Sequence, residues 1–163
     1  INKTQYDKIW NFIDGAKAAG INCFYGGDKS MVKALEPGYF VPPTVFTDVP
    51  ADAQIWTTEI FGPVVCINSF ETEQEAVDGA NDSEFGLAGA VFSADIERCN
   101  RVTRALRVGT VWVNCSQPAF IQAPWGGVKK SGFGRELGRW GVEEFTSVKQ
   151  VTSCAQEFSF AMY

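Results

Sequence analysis

The apolar positions of this chain fall into stretches whose period changes in a regular order. From Thr4 to Ala19, Ile9, Phe12, Ile13 and Ala16 recur at the spacing of a helix with one buried face, and Gly20 is placed to end it. Asn22 to Tyr25 reads as a short strand entering the Gly26-Gly27 turn. Tyr39 to Phe46 reads as an extended stretch that Pro42-Pro43 restricts to an edge or irregular strand. Asp48 to Thr58 has the composition of a loop. Pro63 to Phe70, with Val64, Val65, Cys66 and Ile67 in succession, has the continuous apolar character of a strand buried on both faces. Thr72-Glu73-Gln74-Glu75 then matches a capping box for a helix reaching Ala80.

Leu87 to Phe92 forms a second apolar run. Ser93 is a candidate cap for a helix from Ala94 to Leu106, and Gly109 a stop before a strand at Thr110 to Asn114. Strands alternating with helices imply parallel pairing through right-handed crossovers, so the pattern predicts an open, mostly parallel α/β sheet with flanking helices. Cys115 to Gly134 has no period but carries Phe120, Trp125 and Phe133, which marks a structured loop rather than a linker. Arg135 to Phe145 reads as helix despite Gly138 and Gly141. Val148 to Thr152 alternates as a half-exposed strand, and the tail from Ala155 to Tyr163 is unpatterned. There is no internal repeat and no low-complexity segment.

Length and composition narrow the class. With 163 residues and 45% apolar content, one globular domain is expected. A net charge of -5 with interspersed signs argues against nucleic acid or a polybasic membrane surface as partner. No apolar run approaches the roughly 20 residues that span a bilayer. Ile1-Asn2-Lys3-Thr4 resembles neither a signal peptide nor a natural start, so the chain reads as soluble and as beginning in mid-protein. Five widely spaced cysteines without a C-x-x-C pair fit a reducing, intracellular compartment, and each reads first as a small buried residue. Because the chain has no histidine, it holds no Ser-His-Asp or Cys-His unit, and thiolates at these spacings do not suit zinc, so no metal site is expected.

Two glycine-rich strings lack the chemistry they suggest. Gly132 to Gly138 has Leu137 where a dinucleotide fingerprint needs its third glycine and follows a loop rather than a strand. Gly127 to Gly132 has phosphate-loop spacing but continues into Phe133 instead of Lys and Ser or Thr. Three other strings, taken in order, are more specific: Glu59-Ile60-Phe61-Gly62-Pro63-Val64, Gly109-Thr110-Val111-Trp112-Val113-Asn114, and the run from Pro124 through Trp125-Gly126-Gly127 to Gly138. In text, order and separation they are similar to the aldehyde dehydrogenase superfamily, a resemblance that covers Tyr6 to Thr152 and includes Ala80 to Ala88. Asn114-Cys115-Ser116-Gln117-Pro118, Trp125 and Gly138-Arg139-Trp140-Gly141 look most like the plant-type betaine aldehyde and aminoaldehyde dehydrogenases.

The resemblance implies oxidation of aldehydes to acids with NAD or NADP, through a cysteine thiolate that attacks the carbonyl and a glutamate that activates water. Both of those residues belong to the part of the family upstream of this segment. None of the five cysteines has the nucleophile's context, and Glu136 lies in the Arg-Glu-Leu-Gly string, so the segment alone is expected to be inactive. Residues 1–146 would then be part of the catalytic domain, and residues 147–163 an oligomerisation strand and tail, with Val148 to Thr152 pairing between subunits. By the same resemblance Glu59 would accept hydrogen bonds from the nicotinamide ribose and Phe61 would pack against the nicotinamide ring. On their residues alone, Glu59 reads as a solvated loop acid and Phe61 as a core aromatic. Trp125 would face the substrate's cationic end, an interaction of about 0.5 to 2 kcal/mol. Ala119 and Thr110 would line the pocket, and Phe120 is a further pocket candidate with the better claim to plain core packing. A dehydrogenase for generic aliphatic aldehydes, and a truncated non-catalytic subunit acting through its oligomerisation strand, are the alternative readings.

Overall fold

The structure is a computed structural model that describes residues 2–35 and 37–153. The chain divides into two compact units, Ile1–Glu84 and Phe85–Tyr163.

In the first unit the helical period at the N-terminus becomes α1 (Lys3–Ala18). Its cap is Asn2, whose side chain accepts from the Gln5 N–H. Ile9, Trp10, Ile13 and Ala16 form the buried stripe, and they pack with Phe46, Val49, Ile55 and Ile60 into one core. β1 (Asn22–Tyr25) pairs antiparallel with β2 (Thr44–Thr47), and β2 pairs parallel with β3 (Val64–Ile67), giving the order β1-β2-β3. A 3₁₀ segment, Lys29–Leu35, lies between β1 and β2.

The stretch from Asp48 to Thr58 is not all loop. It contains α2 (Gln54–Thr57), which has no side-chain cap; burial of Ile55 in the core overrides the missing start signal. The run 64–67 is a strand, but burial on both faces does not hold. Val65 and Ile67 are half exposed, because β3 is the edge of a sheet whose core layer, α1, covers a single face. α3 (Glu73–Asn81) starts at the capping sequence. Thr72 accepts from the Glu75 N–H at 3.1 Å, while the Glu75 carboxylate reaches one residue further back, to the Glu71 N–H at 2.9 Å.

The second unit repeats the parallel step. β4 (Phe85–Gly86) leads to β5 (Ala88–Val91); α4 (Ile96–Ala105) returns the chain to β6 (Thr110–Val113), which lies parallel to β5. The cap of α4 is Asp95 rather than Ser93. Asp95 accepts from the Arg98 N–H at 3.0 Å, and this bond holds its carboxyl below the usual range, while the Ser93 hydroxyl accepts from the Asp95 N–H. The helix ends at Ala105 because Leu106 is already extended, ahead of Gly109. β7 (Val128–Lys129) pairs antiparallel with β4. α5 is shorter than the pattern predicts, Gly138–Glu143, since Glu136 is engaged in a bridge to Trp125 and Leu137 has a left-handed φ of 65°. The alternating segment 148–152 joins no strand among the described residues of this single chain, and Val148 and Val151 are exposed. The tail and Cys154 lie outside the described residues.

The open α/β arrangement with parallel pairs and flanking helices is therefore present, divided among three small sheets. No helix among the described residues is long and apolar enough to cross a membrane. Of the four described cysteines, all free, Cys99 is buried, Cys23 and Cys66 are partly buried, and Cys115 is exposed, against the expectation of burial. Cys115 sits between two residues with left-handed backbone, Asn114 and Gln117, in a loop rather than on a packed strand.

Candidate active-site loops

Glu59 and Phe61 occupy one turn of the first unit. Between them Ile60 is buried in the core, so the residues on either side are turned out and exposed. Phe61 is 69% exposed and is not the core aromatic that its residue type suggests. Its φ of 59° lies in the left-handed region, a conformation that bulky residues adopt only when the surroundings enforce it. Two contacts from α1 enforce it. The Gln5 amide donates to the carbonyls of Ile60 at 3.1 Å and Phe61 at 3.0 Å. Gly62 lies so close to Ile9 that a Cβ there would meet Ile9 Cδ1 at 2.7 Å.

The Lys8 ammonium lies 5.8 Å from the centroid of the Phe61 ring and 5.9 Å from that of Phe12. The Glu59 carboxylate is exposed and has no hydrogen-bond or ion-pair partner among the described residues, which leaves its oxygens open to donors from outside. Gln5 and Lys8 were not predicted. The available signal was their i, i+3 spacing on α1, which places them on one side of the helix.

The second unit gathers Thr110 and Trp125. Thr110 and Trp112 alternate along β6 and so share one face of the strand. Gly109, immediately before them, packs directly on the backbone of Gly126 and Gly127; a Cβ would sit 1.7 Å from the Gly126 carbonyl oxygen. This approach, open only to glycine, brings Trp125 beside the strand. The rings of Trp112 and Trp125 lie 6.0 Å apart at 32°. Trp125 also exchanges two backbone hydrogen bonds with Glu136, both 2.8 Å. The Arg135 guanidinium donates to the carbonyls of Gly127 at 2.9 Å and Gly134 at 2.6 Å, closing the loop on itself.

Ala119 and Phe120 lie on the exposed loop that follows β6. Core packing does not account for Phe120, which is 61% exposed. This loop is tied to the strand by Trp112, whose indole N–H donates to the Pro118 carbonyl at 3.1 Å. The sequence does not mark Trp112 or Arg135 as a support for these loops, because a tryptophan in an apolar strand and an arginine in a glycine-rich run carry no signal of a partner. Burial pushes the Cys66 thiol up, which disfavours the thiolate a nucleophile needs.

The fold and these loops define an α/β chain with two built turns, one presenting a carboxylate and an aromatic ring, the other a supported indole. The chain belongs to the aldehyde dehydrogenase family, whose profile matches residues 1–151. It is 56% identical over its whole length to the chloroplastic betaine aldehyde dehydrogenase of Atriplex hortensis and 52% identical to the peroxisomal aminoaldehyde dehydrogenase 2 of Pisum sativum, covering 32% of each. Its structure matches the betaine aldehyde dehydrogenase of Staphylococcus aureus in complex with NAD+ with a TM-score of 0.88 at 45% identity, over 98% of this chain and 33% of that one. The chain thus spans about a third of the length of the relatives it matches.

Proposed function

We propose that the full-length protein containing this segment is an NAD(P)-dependent dehydrogenase that oxidises trimethylammonio or ω-amino aldehydes to carboxylic acids. The observation that carries this reading is the support built around Trp125. An indole held by a strand face, two glycines and an arginine clamp is a preorganised acceptor for a desolvated cation. The relatives, a betaine aldehyde dehydrogenase and an aminoaldehyde dehydrogenase, point to the same substrate class. Thr110 and Ala119 are the pocket-wall residues in this reading. Thr110 would decide how bulky an ammonium head is admitted, and Phe120 would add an apolar surface on the exposed loop.

The first unit supplies a cofactor-side turn. Glu59 has open carboxylate oxygens suited to two ribose hydroxyls, and Phe61 offers an exposed ring to a flat heterocycle. Bound NAD or NADP supplies the hydride acceptor. What this segment contributes is orientation, since a turn locked by Gln5 and Ile9 need not reorganise when the cofactor arrives. The thiol nucleophile and the general base come from the remainder of the protein. Val148 to Thr152, which joins no strand among the described residues, is the edge through which subunits would associate. A reducing intracellular compartment suits the free thiols.

The test is a competition assay on the full-length protein with betaine aldehyde and propanal. The reading predicts that the cationic aldehyde has the higher kcat/KM. Equal use of both, or preference for propanal, would return the protein to the generic aliphatic class.

A further inference from the structure

We propose that Trp112 is a positioning residue for cation recognition, setting both the indole wall of Trp125 and the loop that carries Ala119 and Phe120. This inference rests on reading Trp125 as the wall that meets the substrate's cationic end.

Trp112 is connected in two directions. Its ring lies against that of Trp125, with centroids 6.0 Å apart and planes inclined by 32°, a tilted arrangement in the attractive range for aromatic pairs. The Nε1–H of the same indole donates to the Pro118 carbonyl at 3.1 Å, one residue before Ala119. Among the common side chains only tryptophan joins a large apolar ring to a donor with no acceptor function, so both contacts are made by one rigid group. The platform beneath is stiff. Trp112 stands on β6, paired with β5 through Ala90, and shares its face with Thr110. Asn114, just past the strand, fastens that end to Ser93 with two side-chain hydrogen bonds of 2.9 and 3.0 Å.

A cation over an indole is sensitive to where the ring face lies, because the attraction depends on the distance and direction from the centroid. Trp125 has its backbone fixed by Glu136, and Arg135 closes the adjoining glycine turn through the Gly127 carbonyl, but the Trp125 ring is supported by Trp112. Removing that support frees the ring to turn from the face it presents. Removing only the indole N–H frees the Pro118 carbonyl and lets the adjoining loop drift.

The test uses the full-length protein with two substrates of the same shape, betaine aldehyde and its neutral isostere 3,3-dimethylbutanal. The quantity read is the ratio of their kcat/KM values. Trp112→Leu is expected to lower this ratio about tenfold, chiefly through KM for the cation. Trp112→Phe keeps the ring and loses the donor, and it is expected to lower the ratio about threefold. In the double variant with Trp125→Ala, the ratio should match that of Trp125→Ala alone, because a support has no effect once the supported ring is gone. Equal losses on both substrates from Trp112→Leu would mean that Trp112 only packs the strand, and would overturn the proposal. If Trp112→Leu does not fold, an unchanged ratio in Trp112→Phe overturns it. If Trp125→Ala itself leaves the ratio unchanged, the reading of the pocket fails and takes this inference with it. A ratio that falls in Trp125→Ala but holds in both Trp112 variants leaves the reading standing and removes Trp112 alone.

Discussion

The two compact units close their parallel strand pairs with the same device and then hold their candidate site loops by different means. In the first, Asn68, one residue past β3, donates to the Val49 carbonyl and accepts from the Val49 N–H, both at 2.8 Å. In the second, Asn114, one residue past β6, makes the equivalent pair of bonds to Ser93. In each case the fastened residue lies two positions past the partner strand. Beyond this point the units differ. Around the Glu59–Phe61 turn the support is a side-chain core in which Ile9, Ile13, Phe46 and Ile60 are buried. Around Trp125 there is little core: Cys99 is the buried apolar side chain of that unit among the described residues. The loop is set instead by backbone approach at Gly109 and by donors from Arg135 and Trp112. The difference predicts that the first loop is lost with its unit's side-chain core, whereas the second is lost with a few close backbone contacts.

The largest effect expected is from Phe46→Ala, which removes a side chain with no exposure from the first core and should cost about 4 kcal/mol. Amide hydrogen exchange should show protection lost across α1 and β2. Gly109→Ala attacks the other kind of support, where the added carbon has no room against Gly126, and should cost about 3 kcal/mol. Here the exchange should rise around β6 and residues 125–127, and stay unchanged in the first unit.

Gln5→Ala releases the Ile60 and Phe61 carbonyls without touching the core. The cost should be about 1 kcal/mol, read in the full-length protein as a several-fold rise in KM for NAD or NADP with kcat nearly held. The smallest effect separates the two asparagines. Asn114 has a φ of 53°, whereas Asn68 does not have a left-handed backbone. Replacing Asn114 by Gly should therefore be milder than replacing it by Ala, by about 0.5 to 1 kcal/mol, and Asn68 should show no such gain from Gly. Chemical denaturation of the four variants measures the contrast.

Much of this architecture was legible in the chain itself. The helical period of α1, the apolar runs of β3 and β5, and the capping residues at Thr72 all specify local structure, and local structure is what periodicity encodes. The helix at Gln54–Thr57 was hidden because its stability comes from Ile55 meeting α1 rather than from a start signal. The cap of α4 was misplaced by two residues, since Ser93 and Asp95 both suit the position and only the backbone path decides. The candidate site residues are named by motif resemblance, and that resemblance says nothing of what supports them. Gln5 lies 55 residues from Ile60 in sequence, and nothing in either neighbourhood points to the other. The Asn68 and Asn114 clasps share only the short strings Val65 to Asn68 and Val111 to Asn114, too brief to mark a repeat of geometry in the sequence.

The central claim is that Trp125 faces the cationic end of an aldehyde substrate, and Trp125→Ala in the full-length protein tests it most directly. With betaine aldehyde and 3,3-dimethylbutanal as a matched pair, the loss of a desolvated cation–indole contact should lower kcat/KM for the cation about tenfold while the neutral isostere loses far less. Equal losses on the two substrates, accompanied by a lower Tm, would show that Trp125 packs the loop and does not read charge.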